Sequence, residues 1–495
     1  MNRKEKKIKL LLVNCEKVWN NIPHFGLMCL GSCIKEKYPF VDIKIIEDSK
    51  PLKKIIKYHP NIVGFTVDSV NYDFTKSIAK KVKQSIKTKI IIGGTHITGC
   101  PDSFDKVFDV GVIGEGEITL GEIIEAYKND KKNNIKNSKI DGLVYFEKNK
   151  LIKTKPRKLI QNIDQLPIPS REFVPMEKKY LSRQLNLYGM KRLTGMMTSR
   201  GCPYHCLHCA SNVQWGSVRF HSVEYIIKEI DYLIKNYDID GLYFFDDFFT
   251  APKARLIHLA NEIKKRGWHK KIVFSGFGKA DLIDEDVVKA LKSMNVKRIS
   301  FGFESFSSKM LNYLKANSVS VEQNIKAIDL CHKYGIGVSS GFIVTIPGET
   351  IEDLQATYQL LKKHPIENPN IYILIAYPGT KIWDYALEKG LVSKNMNVDN
   401  LFTEIPLKAC FEFWKKDRFY FLEDRVFLNP EKRHDQKYLS MILKIKLLIT
   451  WLNFKFYFKY VLLNPIYIYK VLKEKKSPAL KILFFGKGKN NQKKK

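Results

Sequence analysis

Short strand-like runs alternate with helical patterns along most of this chain, and this alternation limits the folds open to it. Isoleucine- and valine-rich runs occupy residues 8–14, 41–47, 61–67, 89–93 and 107–113, with helical spacing at 26–37, 52–58, 73–85 and 117–128. Buried parallel strands joined by helices have this composition and order. Residues 1–130 are therefore predicted to form a doubly wound α/β domain of flavodoxin-like (Rossmann) type, which binds its ligand beyond the carboxyl ends of the strands.

A second series of strands and helices follows a connector at residues 131–191. Its candidate strands are 193–199, 241–247, 272–277, 298–304, 337–345 and 371–377, with helical patterns at 223–236, 253–266, 284–294 and 321–334. Residues 192–390 are predicted to form a partial (β/α)6 barrel of TIM type, which places its chemistry at the carboxyl ends of the strands. The connector contains a predicted hairpin (141–154) and an extended strap with two prolines (164–171).

Three cysteines follow the first strand of the predicted barrel. Cys202, Cys206 and Cys209 are separated by three and then two residues, in a loop that also contains Gly201. Three thiolates at this spacing can hold three irons of a four-iron, four-sulfur cluster and leave the fourth iron open to a small molecule. A structural zinc site would need a fourth ligand at matching spacing. His205 and His208 lie inside the triplet, where their side chains cannot easily reach the same metal, and neither is predicted to be catalytic.

Composition excludes several classes of protein. The hydrophobic content of 44% is that of a folded chain, and nine cysteines without close, even spacing do not form a disulfide framework, which favours a reducing cytoplasm. Cys29 and Cys33 lie one helical turn apart and are expected to be core thiols. The excess of 33 lysines and arginines over acidic residues is compatible with nucleic acid, an anionic membrane surface, acidic substrates or a lysine-rich proteome.

The other predicted barrel strands also end in residues suited to ligands. Asp246 and Asp247 end the second strand, and Glu304 ends the fourth. Gly341 lies on the fifth strand and Tyr377 ends the sixth, just before Pro-Gly turns whose backbone can flank a flat base. Taken singly, the aspartates could be helix N-caps, the glutamate one half of an ion pair, and the turns ordinary loops.

Together with the three cysteines, these strand ends resemble the radical-SAM superfamily, and the resemblance covers roughly residues 8–390. It implies that the open iron binds the amino and carboxylate groups of S-adenosylmethionine, which one electron cleaves to a 5′-deoxyadenosyl radical. By position, Asp246 or Asp247 would hold the methionine amine, Glu304 the ribose or the amine, and residues near Gly341 and Tyr377 the adenosine.

The first domain resembles the cobalamin-binding domain that precedes many radical-SAM enzymes. The similar segments are residues 62–65, 92–96 and 114–117, and the implied cofactor-binding residues are Ser69, Gly93, Gly94, Gly114 and Glu115. The Asp-x-His-x-x-Gly signature is absent after the first strand, where residues 14–19 read Asn-Cys-Glu-Lys-Val-Trp. Cobalamin is therefore expected without a histidine ligand from that signature, and a domain kept only for packing is the alternative. His24 and His96 are expected to be turn residues, or to contact the ligand-binding residues and not the cobalt itself.

The C-terminal region, residues 391–495, differs in composition. Residues 431–495 carry seventeen lysines and arginines against three acidic residues, with aromatic residues between them, and 439–463 has an apolar helical pattern. An interfacial helix on anionic lipid and a lid packed on the barrel both fit this pattern, whereas nucleic acid is the least favoured partner. No uncharged apolar run is long enough for a spanning helix, and the tail 486–495 is expected to be disordered.

The sequence therefore predicts a radical-SAM enzyme with cobalamin, most consistent with C-methylation of an unactivated carbon in a small-molecule, lipid or tetrapyrrole-like substrate. A reductant such as flavodoxin or ferredoxin is implied, in the cytoplasm or on the inner face of the membrane. The alternatives are a radical-SAM cyclase, oxidase or rearrangement enzyme with an accessory or empty cobalamin domain, a tRNA methylthiotransferase, and an iron–sulfur electron carrier. The methylthiotransferase would need three further cluster cysteines, and Cys15, Cys29, Cys33 and Cys100 do not fall in that pattern.

Overall fold

A computed structural model of the 495-residue chain describes residues 7–15, 22–130, 135–136, 139–181, 190–393 and 428–463. Predictions for residues 16–19, for most of the C-terminal aromatic residues and for the tail 486–495 fall outside these residues. Within them, no helix is long and apolar enough to cross a membrane.

The first domain is built on a seven-stranded sheet in the order β2-β1-β3-β4-β5-β6-β7. Its strands are β1 (Ile8–Asn14), β2 (Val41–Glu47), β3 (Ile62–Thr66), β4 (Lys89–Gly93), β5 (Val110–Val112), β6 (Leu143–Glu147) and β7 (Lys150–Lys153). Its helices are α1 (Phe25–Lys37), α2 (Leu52–Tyr58), α3 (Tyr72–Ser85), α4 (Thr95–Gly99) and α5 (Glu117–Asn129). Strands β1 to β5 pair in parallel with buried faces, so the predicted doubly wound fold is confirmed.

The predicted hairpin belongs to this sheet. Strand β6 pairs antiparallel with β5, and β7 pairs antiparallel with β6. The first sheet thus extends beyond the expected boundary at residue 130, because a hairpin can add to the edge of a parallel sheet without a crossover helix.

The second domain is an open barrel of six parallel strands in the order β8-β11-β12-β13-β14-β15. The strands are β8 (Leu193–Met196), β11 (Gly241–Phe244), β12 (Val273–Gly278), β13 (Val296–Glu304), β14 (Gly337–Val344) and β15 (Asn368–Ile373), and the short ribbon β9 (Ser199–Arg200) and β10 (Arg219–Phe220) follows β8. The helices are α6 (Ser211–Trp215), α7 (Val223–Tyr237), α8 (Lys253–Lys265), α9 (Glu285–Ser293), α10 (Ser308–Lys315), α11 (Val321–Lys333), α12 (Ile351–Lys363) and α13 (Lys381–Glu388). The predicted partial barrel is confirmed.

The strap between the two domains holds a buried arginine. The Arg171 guanidinium lies 2.7 Å from Glu229 Oε1 on α7 and donates to the carbonyl of Gly195 on β8 at 2.9 Å. Both charged side chains are fully buried, so the strap fixes the first barrel strand by charge as well as by packing.

A C-terminal helix, α14 (Gln436–Leu463), covers the last barrel strand. Its residues Leu439, Ile442, Ile445 and Ile449 are buried in the barrel's core. At its start, the buried Tyr438 donates to Glu349 Oε2 at 2.5 Å, in the turn after β14. The apolar face of the first half of α14 therefore packs on protein, whereas Trp451 is 59% exposed.

Candidate functional site

The three cysteines lie where the barrel strands end. Gly201 enters their loop with φ = 83°, and a β-carbon there would lie 2.8 Å from the Ser217 carbonyl, so glycine is required. The loop is anchored to α10, because the Leu207 amide donates to the Leu314 carbonyl at 2.8 Å. Cys202, Cys206 and Cys209 are all half-buried free thiols.

The arrangement of the three thiols bears on the kind of metal group that they could hold. Among the described residues, no three His, Cys, Asp or Glu side chains converge closely enough to hold one metal ion. A cubane cluster does not require such convergence, because each thiolate binds a different iron. Burial raises the pKa of the Cys209 thiol to about 11, so a bound metal would have to stabilise its thiolate form.

Two lysines place positive charge beside the cysteine loop. The Lys279 ammonium lies 3.5 Å from the centre of the Tyr204 ring and donates to Asp281 at 2.6 Å. The Lys315 ammonium donates to Glu304 at 2.8 Å. Burial raises the pKa of the Cys206 thiol, and the positive charges of Lys315 and Lys279 oppose part of this rise.

The two aspartates after β11 differ in what they can do. Asp246 is fully buried and accepts three hydrogen bonds, from the Thr198 amide (2.7 Å), the Thr198 hydroxyl (2.9 Å) and the Ser199 hydroxyl (2.6 Å). It therefore clamps the segment that leads into the cysteine loop and is poorly placed to hold a ligand's amine. Asp247 is exposed and accepts from the Ser211 hydroxyl at 2.6 Å, so it is the member of the pair that a ligand can reach.

Glu304 lies beside the cysteine loop but is already ion-paired. It has φ = 58° at an irregularity in the β13–β14 pairing, and its Oε1 also lies 3.7 Å from His208 Nε2. Burial alone would raise the pKa of Glu304, but Lys315 and His208 outweigh it and hold that pKa at about 2. The side chain is thus a fixed carboxylate near the cysteines.

The expected adenosine-flanking residues lie on neighbouring strands. Gly341 is half-buried on β14, where a β-carbon would meet the Tyr372 ring at 3.1 Å. Tyr377 is half-buried, and the turn after it rests on the first domain, because a β-carbon at Gly99 would lie 2.6 Å from the Pro378 carbonyl oxygen. The two domains therefore touch directly at this strand end.

The first domain has a cavity of about 130 Å³ at the carboxyl ends of its strands. Its walls include four residues that the cobalamin resemblance implies, Gly93, Gly94, Gly114 and Glu115, and also His24, Glu117, Gln214 and Trp215. Gly94 has φ = 108°, and a β-carbon there would lie 2.4 Å from the Val67 carbonyl oxygen, so only glycine fits. The glycine backbone along this wall would let one arm of a large cofactor, such as a nucleotide tail, approach the strand ends closely.

Ser69 and His96 form a separate buried group. The Ser69 hydroxyl lies 3.0 Å from His96 Nδ1, the Ser103 hydroxyl lies 3.0 Å from His96 Nε2, and the Tyr72 ring stacks on the imidazole. Burial lowers the pKa of His96 to about 4, so the ring is neutral. Both nitrogens of His96 are thus engaged by serine hydroxyls within the protein.

Sequence reasoning missed an ion-pair cluster between the two domains. It consists of Glu115, Glu117, Arg200 and Arg219, which we call the junction cluster. Arg200 donates to Glu115 at 2.7 Å and to Glu117 at 2.6 Å, and Arg219 donates to Glu115 at 2.8 Å. The only signal in the sequence was the arginine two residues before Cys202, which has no assigned partner until the domains are placed together.

Two family models match the chain. The model described as the radical SAM superfamily matches residues 196–361, and the one described as the B12 binding domain matches residues 12–124.

Individual proteins are similar over most of the chain. A Pyrococcus horikoshii protein named uncharacterized methyltransferase PH0819 is 34% identical over 384 residues, which is 75% of this chain and 80% of the relative. The anaerobic magnesium-protoporphyrin IX monomethyl ester cyclase of Rubrivivax gelatinosus is 26% identical over 324 residues, 64% of this chain and 57% of the relative. The solved structure of the radical S-adenosylmethionine methyltransferase TsrM from Kitasatospora setae shares the fold with a TM-score of 0.65, at 18% identity, covering 78% of this chain and 77% of that one.

Proposed function

Because this chain belongs to the radical SAM superfamily and carries a B12 binding domain, we propose that it transfers a methyl group to an unactivated carbon of a small molecule. One observation carries the proposal. Helix α6 begins two residues after Cys209, and its last residues, Gln214 and Trp215, form a wall of the cavity in the first domain. The cysteine loop and the cavity are thus joined by a single turn of helix, as a reaction that uses both cofactors requires.

The family's cofactors are a four-iron, four-sulfur cluster, S-adenosylmethionine and cobalamin, which together supply a 5′-deoxyadenosyl radical and a transferable methyl group. We propose Cys202, Cys206 and Cys209 as the cluster ligands. Asp247 would hold the methionine amine, Glu304 would orient the amine or ribose, and Gly341 and Tyr377 would flank the adenosine. Gly93, Gly94 and Gly114 would admit part of the corrinoid to the cavity, while Ser69 would act only through His96.

The substrate class follows from the relatives only as a proposal. We favour a tetrapyrrole-like or lipid-like molecule, because one relative is a cyclase that acts on a magnesium porphyrin ester and another is named hopanoid C-2 methylase. The same cyclase favours radical cyclisation as the second candidate reaction. Flavodoxin or ferredoxin is the proposed reductant, and the exposed Pro203 and His205 leave one side of the cysteine loop open to it.

Anaerobic reconstitution with iron, sulfide and hydroxocobalamin tests the function. The wild type should retain about four irons and one corrinoid per chain after gel filtration and should form 5′-deoxyadenosine from S-adenosylmethionine. Cys206→Ala should lose iron and this product, whereas Cys331→Ala, which removes a buried thiol on α11, should keep both. Retention of 5′-deoxyadenosine formation by Cys206→Ala would refute the ligand assignment, and absence of corrinoid from the wild type would favour the cyclase class with an empty domain.

We also propose that the chain lies on an anionic membrane surface through the exposed Trp451 of α14 and the basic sequence around it. Trp451 stacks on Phe454 at 5.9 Å, and the adjacent sequence from residue 431 onward carries a net charge of +14. Trp451→Ala should weaken flotation with phosphatidylglycerol vesicles, whereas Ile118→Ala, on an exposed apolar residue of the first domain, should not. Equal flotation of the two variants would end this proposal.

A further inference from the structure

The junction cluster is a buried, balanced set of charges between the two domains. Glu115, Arg200 and Arg219 are each less than a tenth exposed, and the cluster holds two carboxylates and two guanidinium groups. Glu115 also accepts from the Ile160 amide at 2.9 Å, so the strap between the domains joins the same carboxylate. Charges buried in this way are stable only while each keeps its partners.

Arg200 belongs to the junction cluster and is also close in sequence to the cysteine loop. Only Gly201 separates it from Cys202, and Gly201 is fixed by its positive φ and by the nearby Ser217 carbonyl. Arg200 and Arg219 also pair across the β9–β10 ribbon that starts this loop. The ion pairs of the Arg200 guanidinium therefore bear on the backbone that leads into the first proposed cluster ligand.

The other end of the cluster faces the cavity of the first domain. Glu115 and Glu117 line the cavity, and Trp215, which also lines it, lies 5.2 Å from the Arg200 guanidinium carbon. Any molecule that fills the cavity contacts side chains that hold Arg200 in place. Glu115, Glu117 and Trp215 therefore line the cavity and also contact Arg200, which lies two residues before Cys202.

We propose that Arg200 is a positioning residue that couples corrinoid binding in the first domain to occupancy of the cysteine loop by its cluster. The inference rests on the proposed function, since it assumes that the cavity receives a corrinoid and the loop an iron–sulfur cluster. Because such coupling is reciprocal, the corrinoid should bind more tightly when the cluster is present, and the cluster should be held more firmly when the corrinoid is bound. Arginine suits the role because its planar fork reaches two carboxylates at once, whereas the point charge of lysine reaches one.

The first experiment compares two states of the full-length wild type. The Kd of hydroxocobalamin is measured by equilibrium dialysis for the metal-free protein and for the cluster-reconstituted protein. We expect the reconstituted protein to bind at least about five-fold more tightly, which is the lower end of typical coupling between two sites. Equal Kd values in the two states would overturn the coupling while leaving the proposed function intact, and no binding in either state would overturn both.

The second experiment separates positioning from simple structural support. Arg200→Lys and Glu117→Gln should bring the ratio of the two Kd values close to one, whereas Arg266→Lys, in an exposed pair within α8's C-terminal turn, should keep the wild-type ratio. A clamp that only stabilises the fold would weaken binding in both states equally and preserve the ratio. If Arg200→Lys does not fold, Glu117→Gln alone tests the coupling. This substitution removes one carboxylate and leaves the Arg200–Glu115 pair in place.

The third measurement checks reciprocity from the side of the iron. Iron is extracted from the reconstituted protein with a chelator, with and without hydroxocobalamin, and the rate of iron release is followed by absorbance. Bound corrinoid should slow release from the wild type and should have little effect on Arg200→Lys. An unchanged release rate in the wild type would overturn the proposal.

Discussion

Replacing Tyr438 by phenylalanine removes one hydroxyl from the contact that holds the C-terminal helix on the barrel. Tyr438 is completely buried, and its hydroxyl donates to Glu349 Oε2 at 2.5 Å, an oxygen that also accepts from the Thr345 amide at 2.8 Å. Phenylalanine occupies the same volume, so the change leaves no large cavity. The loss of stability should therefore come from one hydrogen bond.

The magnitude of this loss depends on the charge of Glu349. Burial raises the pKa of Glu349 to about 8, whereas the unfolded carboxyl has its ordinary value near 4.5. At pH 6 the folded carboxyl is protonated, so Tyr438→Phe removes a neutral hydrogen bond and should cost about 1 kcal/mol. At pH 9.5 the carboxyl is ionised, and loss of the charge-assisted bond should cost about 1.5–3 kcal/mol. Burial also raises the pKa of Tyr438, so its hydroxyl keeps its proton at the higher pH.

Equilibrium urea unfolding at pH 6 and pH 9.5, followed by tryptophan fluorescence, measures this difference. Because the folded pKa of Glu349 is raised, its contribution to wild-type stability is complete below pH 4.5 and is lost as pH rises towards 8. Tyr225→Phe is the matched control, since the Tyr225 hydroxyl donates to the neutral Pro167 carbonyl at 3.3 Å and its loss should not depend on pH. The reasoning is refuted if Tyr438→Phe costs the same at both pH values or costs nothing.

Three further predictions concern single residues. Gly94→Ala should destabilise the first domain by about 1–3 kcal/mol and abolish corrinoid retention, because of its positive φ and the carbonyl 2.4 Å from the new β-carbon; wild-type melting with full corrinoid content would contradict this. Arg171→Met should cost about 3–5 kcal/mol in urea unfolding, since it leaves the buried Glu229 unpaired, and a loss below about 1 kcal/mol would show that the pair is unimportant. The pKa of Glu304 is lowered to about 2, so its ionised carboxylate should stabilise the protein above pH 4.5, and this contribution should be lost as pH falls towards 2. Glu304→Gln should therefore make the free energy of unfolding less dependent on pH between 4.5 and 2. An unchanged pH dependence in this range would show that Glu304 is not its source.

The elements that were predicted well are those whose signal is local. Strands β1 and β2 match the predicted bounds because each is a short run rich in branched aliphatic residues, and helix α2 matches because its apolar spacing ends at the left-handed residue His59. The last barrel strand was placed too late. The run 371–377 is apolar throughout, but the structure pairs Asn368–Ile373 with β14, and residues 374–377 follow the end of the strand. Hydrophobicity alone does not distinguish a strand from the buried segment that follows it.

Long-range charge pairing explains most of what the sequence did not reveal. The cobalamin resemblance implies that Glu115 contacts a cofactor, and the structure adds that its carboxylate binds arginines 85 and 104 residues away. Asp246 and Asp247 are equivalent in sequence, but adjacent residues at a strand end point to opposite sides, and only the fold shows which one is buried. The function class could be predicted from the sequence because the cysteine spacing is a local motif. The partner of each charged side chain could not, because it depends on how distant segments pack.

The helix that covers the last barrel strand is synthesised well after that strand. On the ribosome, β15 is complete at Ile373, but α14 begins only at Gln436, sixty-three residues later. At a synthesis rate of about 5–20 residues per second, the nascent barrel spends roughly 3–13 seconds with the outer edge of β15 not yet covered by α14. An uncovered strand edge invites pairing with other chains. Translation speed between these two positions should therefore influence how much soluble protein a cell recovers.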